Sequence, residues 1–455
     1  MHAASLTALC LAVSLAVSPD GLRMLGNLAG SQGSAFPMVL LFAALVHLST
    51  TLSYRRLMDQ FSGSGFETPG LRAAIGNLPV MILSLGSRVA FTICAGTGLL
   101  ATAGFTFNEV FVYWFPNFGF AFLLLGVLLA ANLIGRGMPQ RIQITCTGAA
   151  VAGLLALSGV GLAGLSRVPE ATQPFATALD SRAVFAGLLL LVGFDLSGVV
   201  APGGRAQSWR QARVMGAGII LAALVLGVWG MAAVGHTAPD KLAVSTIPYM
   251  LTARHIMGQN GRLLIGVVVI AGVCGAVNAL LYAVSHMIAG MADQGMLPRC
   301  LGRGKPRAPV AVCLLAGAIA LMLAAGMAGH PELNAYTRAG LLFWLLNYAA
   351  VHLAAFKTQP RAAHRSGRLS EAGDALARGF GLIALLTGVV VLLGTDPDST
   401  LLAKFMLIVV TVTGIFGLLW ICFQRNDRRP AGETGRDLSG VQGGGQPPRS
   451  PVDNP

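Results

Sequence analysis

Along almost the whole chain, long apolar stretches alternate with short polar ones marked by charge, glycine and proline. A helix that spans a bilayer needs about 20 apolar residues. On that measure the pattern predicts twelve spans: 5–28, 35–54, 74–104, 118–135, 142–166, 183–202, 214–235, 261–292, 309–328, 339–357, 379–395 and 402–423. The third and eighth are the longest, and such lengths predict strong tilt. From about residue 426 the chain turns polar and runs through Gly443-Gly444-Gly445-Gln446-Pro447-Pro448, a tail that cannot bury a core and is expected to be disordered.

Two spans are interrupted at mid-depth. Span 1 carries Ser18-Pro19-Asp20-Gly21-Leu22, and span 6 carries Gly193-Phe194-Asp195-Leu196-Ser197-Gly198. Proline removes a backbone donor and glycine loosens a helix, so both places are expected to unwind. In lipid a break survives only where protein or water satisfies the freed groups. Two broken helices at matching places in two halves predict an internal repeat with a binding site between them. The period is five helices, an odd number, so the halves must be inverted in the membrane. The expected fold is an all-α polytopic membrane protein of about twelve transmembrane helices. It is a five-plus-five inverted repeat with broken helices 1 and 6, plus two C-terminal helices. The repeats are expected at about 5–165 and 183–357 and the extra helices at about 379–423, within a membrane domain 1–425 that leaves 426–455 as the cytoplasmic tail.

Composition supports this and excludes much else. Of the 455 residues, 55% are hydrophobic and 11% charged, with a mean hydropathy of +0.70. A soluble domain carries about 25% charged residues. The net charge of +13 would suggest nucleic acid if the charges were clustered, but they are not. With the N-terminus inside, 22 of the 31 Lys and Arg fall on inner loops and the tail, seven outside, and Arg23 and Arg88 within spans. This bias predicts cytoplasmic termini in the inner membrane and positive loops facing anionic lipid. Residues 1–18 lack a basic leader and read as half of a broken helix rather than a cleaved signal. The seven cysteines are scattered without metal-ligand spacing, and the pattern points to no cofactor and no resident metal. His47, His286 and His352 sit on three different helices, where hydrogen-bonded structure is the expected role. No metal-protease, phosphate-loop or nucleophile-elbow motif marks an enzyme.

One stretch is specific. Asn278-Ala279-Leu280-Leu281, Ser285-His286, Met291-Ala292-Asp293-Gln294-Gly295-Met296-Leu297-Pro298 and Pro306-Arg307-Ala308-Pro309-Val310 resemble the helix 8 to helix 9 signature of amino acid permeases. Those permeases belong to the amino acid–polyamine–organocation superfamily. Gly193-Phe194-Asp195 is similar to the family's G-F-E, and Asn132-Leu133 with Arg141-Ile142-Gln143 resembles its N-L…R-V-Q. The departures are clear as well. Where the family has G-S-G-I-F in helix 1, this chain reads Pro19-Asp20-Gly21-Leu22-Arg23; its acidic motif after helix 6 is replaced by Pro202-Gly203-Gly204-Arg205-Ala206-Gln207; and a helix 5 lysine of some proton-coupled members falls at Ala150.

The resemblance implies a secondary transporter that works by alternating access on an amino acid or related small amine. A non-transporting nutrient receptor of the same fold is the alternative. It places substrate at Ser18, Pro19, Asp20, Gly21 and Leu22, at Gly193, Phe194, Asp195, Leu196 and Ser197, and at Ser285. A substrate carboxylate is expected at the helix 1 break and an amine at the helix 6 break. Asp20 disturbs that plan, because two carboxylates ~4 Å apart repel by about 4 kcal/mol at an effective dielectric of 20. Arg23, one turn on, and Arg88 are the candidate partners, and a charge inside a span is a functional hypothesis by default. A single helix 8 hydroxyl, Ser285, is too little for a sodium site. The expectation is therefore proton coupling through Asp20, or ion-free exchange.

Overall fold

The computed structural model describes residues 3–61, 67–135, 137–164, 180–200, 205–302, 304, 308–358 and 368–427. The expected disordered tail from 428 on, Pro306-Arg307 of the signature and Pro202-Gly203-Gly204 lie outside the described residues. Among the described residues all regular structure is helical, the solution lipid demands because a helix satisfies its own backbone.

Ten helical stretches among the described residues are long and apolar enough to cross a membrane, and the described helices are numbered as about twelve spans. Helix 1 is split into 1a (Ala3–Val13) and 1b (Pro19–Gln32), followed by helix 2 (Phe36–Gln60) and helix 3 (Asn77–Val110). Helix 4 (Asn117–Ile134) and helix 5 (Met138–Gly164) complete the first half. Helix 6 is split into 6a (Ser181–Leu190) and 6b (Phe194–Val200), and helix 7 (Arg205–His236) follows. Helix 8 lies within Pro248–Asp293, then come helix 9 (Pro309–Ala324) and helix 10 (Glu332–Lys357). Helix 11 (Arg368–Thr395) and helix 12 (Ser399–Asp427) stand outside the two five-helix halves.

At the centre 1a packs against 6b and 1b against 6a, so the two broken helices run antiparallel, as an inverted repeat requires. Helices 3 and 8 brace this pair. Helix 3 opens with a π-helical turn at Met81–Gly86, and helix 8 is kinked at Gly258 (φ 60°), which sets off a preceding arm. Helices 3 and 8 are long, as expected, although helix 7 at 32 residues nearly equals helix 3.

Both breaks sit slightly earlier than the sequence suggested. In helix 1 the non-helical stretch is 14–18, and Pro19–Leu22 is the first turn of 1b. Ser18 is extended (φ −72°, ψ 160°), and its Oγ accepts from the Gly21 amide at 3.3 Å. Ser18-Pro19-Asp20 is thus an N-cap, a first-turn proline with no donor to lose, and an acid at the positive end of the helix dipole. What reads as a breaker starts a helix. In helix 6 the turn is 191–193, with Gly193 at φ 99° and its amide donating to Tyr348 Oη at 3.0 Å; Phe194–Ser197 belong to the 3-10 turns of 6b.

Gly193 is fixed twice over, because a Cβ there would also meet Leu15 Cδ1 at 2.5 Å. Gly193→Ala should therefore lower stability by about 1–3 kcal/mol in detergent melting. Gly126→Ala, on helix 4 with open space around it, should be neutral or stabilising; an equal loss in both would contradict this account of the break.

Candidate substrate site and the buried charge cluster

The breaks adjoin a small cavity of about 30 Å³ lined by Leu15, Ser18, Asp20, Gly21 and Arg23 of helix 1 and by Phe91, Ala95 and Leu99 of helix 3. Helix 6 gives it Leu189, Leu190 and Val192, and helix 10 gives Asn334, Thr337, Arg338 and Leu341. It shares Arg23, Met24, Leu189, Leu190 and Arg338 with a larger vestibule of about 440 Å³. The vestibule also meets Asn27, Ser31, Asp180, Arg182 and Asp396. These belong to the side of the membrane opposite the N-terminus, called here the far side.

The cavity floor is charged and nearly balanced. Arg23 Nη2 lies 3.6 Å from Asp20 Oδ1, with both side chains about a quarter exposed, and Arg23 Nη1 donates to Asn334 Oδ1 at 3.1 Å. Arg338 is drawn toward the far side by Asp396 (3.0 Å) and Asp398 (2.7 Å). Asp20 thus has its cation in Arg23, one turn along the same face.

Arg88 has a different partner. It is buried on helix 3, and its Nη2 donates to Asp195 Oδ2 at 2.5 Å and to Glu67 Oε2 at 2.8 Å. Its guanidinium lies 5.2 Å from the Trp344 ring centroid, and Nη1 donates to Ser84 O at 3.3 Å. Asp195 takes two more donors, Tyr348 Oη at 2.5 Å on Oδ1 and Trp344 Nε1 at 3.3 Å on Oδ2. Glu67, on the short helix Glu67–Ile75 between helices 2 and 3, accepts from Asn347 Nδ2 (2.7 Å), Ser84 Oγ (3.2 Å) and Tyr54 Oη (3.2 Å). Arg88 stays buried because both acids take its donors, and every oxygen of the two carboxylates accepts at least one hydrogen bond, the condition for keeping polar groups in a low-dielectric interior. The cluster ties the helix 2–3 loop, helix 3, helix 6b and helix 10 together. It lies on the N-terminal side, where Arg56 donates to Thr358 O (2.8 Å) and Lys357 Nζ to Ala74 O (2.9 Å).

The proposed site residues therefore divide. Ser18, Asp20 and Gly21, with Arg23, line the cavity. Pro19 and Leu22 are buried beside it in the first turn of 1b. Gly193, Phe194, Leu196 and Ser197 are buried in helix 6 and line neither cavity, where Val192 represents the break instead. Asp195 has both oxygens engaged by the cluster. Ser285 is buried on helix 8 and donates to Tyr282 O at 3.0 Å. The sequence reading missed Glu67, because it lies between spans; an acid in a loop region otherwise rich in arginine was the available signal. It also missed Trp344, Asn347 and Tyr348, whose grouping at mid-span of helix 10 is unusual in an apolar run. His352 is held by Thr50 Oγ1 (3.0 Å) and Ser53 Oγ (2.9 Å), a structural role as expected.

Antiparallel broken helices around a charged cavity that opens into a vestibule fit a multi-pass membrane transporter rather than an enzyme. The amino acid permease family model matches residues 5–424, and the chain belongs to that family. Its fold is similar to solved structures of the manganese transporter of Eremococcus coleocola. One variant of that protein aligns with a TM-score of 0.61 at 11% identity over 93% of this chain and 95% of that one. A complex with an aromatic bis-isothiourea substituted compound aligns over the same shares with a TM-score of 0.58 at 11% identity. At this identity the likeness concerns the fold alone. No curated protein sequence matches the chain.

The two arginines should differ sharply. Arg88→Gln leaves the buried Asp195 and the mostly enclosed Glu67 without their cation and should cost about 3–5 kcal/mol in thermal unfolding. Arg23→Gln, at a partly exposed pair, should cost about 0–1 kcal/mol. Comparable losses would mean that Arg88 does not carry the cluster.

Proposed function

We propose that the protein is a secondary transporter that moves an amino acid or a related small amine across the cytoplasmic membrane by alternating access. One observation carries the reading: the helix 1 break opens onto a cavity holding one carboxylate, Asp20, beside two guanidiniums, Arg23 and Arg338. A zwitterion matches that set. Its ammonium would face Asp20, and its carboxylate would face Arg23, Arg338 and the helix 1b terminus, where the dipole also favours an anion. Ser18 Oγ already occupies the Gly21 amide, so less of the carboxylate recognition falls on backbone and more on arginine. This reverses the emphasis expected of a glycine-lined break and follows from the charges that have entered helix 1. Seen this way, the remaining break residues Pro19, Leu22, Gly193, Phe194, Leu196 and Ser197 shape the site, while Ser285 packs helix 8.

With the Lys and Arg bias, the N-terminal side is the cytoplasm and the vestibule opens outward. The inner path is then shut by the Glu67–Arg88–Asp195 cluster and by the contacts of Arg56 and Lys357. Transport is driven by protons or runs as exchange. The repeats would span about 5–165 and 183–357, as the paired breaks suggest.

Uptake of labelled amino acids and amines into proteoliposomes tests the reading. A cognate solute should accumulate or exchange, and Asp20→Asn and Arg338→Gln should each reduce uptake by about 10-fold or more, the loss of one charge-assisted contact. Ala95→Leu, which fills the cavity, should abolish it. Binding of the solute without any net movement would favour a receptor, and full uptake in Ala95→Leu would remove the cavity from the pathway.

A further inference from the structure

On the N-terminal side two guanidiniums share one indole. Arg55, near the end of helix 2, holds its Cζ 4.0 Å from the Trp209 ring centroid, and Arg213, one turn along helix 7 from Trp209, holds its own at 5.8 Å. Among the described residues no carboxylate, Asp59 one turn further along helix 2 included, forms a salt bridge with either arginine. Arg210 is engaged elsewhere, donating to Ser5 Oγ of helix 1a at 2.7 Å. Two like charges gathered on a half-exposed ring make an electropositive spot with no counterion of its own. The apolar stretch of helix 7 begins at Trp209, so the spot lies at the edge of the spanning region, the depth at which tryptophan and arginine meet lipid headgroups.

The wall that leads away from the spot is apolar and in register with it. On helix 2, Leu52, Leu48, Leu45 and Leu41 follow Arg55 at alternating steps of three and four, and all four are partly or fully exposed. On helix 7, Ala217, Ile220 and Leu224 follow Arg213 in the same way and are exposed. That spacing keeps each row on one face of its helix. The two helices pack together, and a Cβ on Gly216 would stand 3.5 Å from Leu48 Cδ2. Two apolar rows on neighbouring helices thus each end at a guanidinium.

We propose that Arg55, Arg213 and Trp209 bind the headgroup of an anionic phospholipid, whose acyl chains lie along the apolar rows of helices 2 and 7. The phosphate supplies the missing charge, because guanidiniums take phosphate oxygens in paired hydrogen bonds while the indole face holds both cations in place. A free phosphate would satisfy the arginines alone. An amphiphile uses the apolar rows as well, and its tails need the bilayer that surrounds them, which favours a lipid. Once bound, it joins helix 2 to helix 7 beside the turn that Arg210 ties to helix 1a. The site lies on the outer wall of the bundle and is independent of what the substrate cavity carries.

The test is thermal melting of the purified full-length chain in detergent as lipid is added, since a ligand of the folded form raises Tm. Phosphatidylglycerol should raise it, while phosphatidylcholine and inorganic phosphate at equal concentration should not. Arg55→Gln combined with Arg213→Gln should need about 10-fold more phosphatidylglycerol for the same rise, the loss of charge-assisted contacts. Arg72→Gln combined with Arg141→Gln removes two exposed charges elsewhere on the N-terminal side and should respond as the native chain does. If the first pair fails to fold, Arg213→Gln alone, at an exposed position, decides by the same titration with a shift of about 3-fold or more. An equal response to phosphatidylcholine, or an unshifted titration in the Arg55 and Arg213 variants, would overturn the proposal. So would an equal shift in the Arg72 and Arg141 variant, which would mean diffuse attraction without a site. Stabilisation by inorganic phosphate as strong as that by the lipid would assign the spot to a free anion and overturn it too.

Discussion

Arg88 is the constraint on which the rest of the structure depends. A guanidinium in the membrane interior is tolerated only when its charge and donors are fully matched, and here Glu67 and Asp195 do the matching from opposite directions. Asp195 is supplied by the 3-10 turns that follow the helix 6 break, and Glu67 by a loop helix entering from the N-terminal side. To satisfy one cation, the chain must hold helix 6b against helix 3 and draw the loop helix under helix 10. The break in helix 6 is thereby given a fixed shape, which Tyr348 completes by bonding both the Gly193 amide and the Asp195 carboxylate.

The same constraint separates two kinds of charge in the protein. Asp20, Arg23 and Arg338 are partly exposed and reachable from the vestibule; Asp20 and Arg23 are loosely paired, while Arg338 is held by Asp396 and Asp398. Such groups can exchange partners with a ligand at small cost. Arg88 and Asp195 are buried and Glu67 nearly so, and each is held by several partners, so they can change partners only when the helices that carry them move. Under the proposed function, this would put adaptable charges where the solute binds and locked charges where the path is closed. The cavity is narrow and its apolar wall of Phe91, Ala95 and Leu99 belongs to helix 3, the helix that also bears Arg88, so cavity and cluster share one rod.

The fold was legible because lipid permits few solutions: apolar runs near 20 residues become helices, and interruptions in two of them, five apart, reveal the repeat. The break in helix 1 was found but displaced, since Ser18-Pro19-Asp20 has the composition of a breaker and the order of a helix start. Only the order distinguishes them. The charged residues that line the cavity from helix 1 were readable as mid-span charges, and Arg23 lies 3.6 Å from Asp20. Asp195 and Arg88 were each visible as intramembrane charges, but their pairing was not, because residues 107 apart are joined by packing alone. Glu67 escaped notice because a window that looks for apolar spans passes over the loops between them, and the helix 10 residues carry no break or motif. Ser285 drew attention through the helix 8 signature, although in place its hydroxyl serves its own helix.

The central claim is that Arg88 and Asp195 act as a unit that fixes the helix 6 break. A double-mutant cycle on thermal unfolding, with Arg88→Gln, Asp195→Asn and the two combined, measures that directly. The account predicts strong coupling, with the double variant losing at least about 1.5 kcal/mol less than the sum of the single losses. Additive losses would contradict it, because they would show that the guanidinium and the carboxylate stabilise the protein independently of each other.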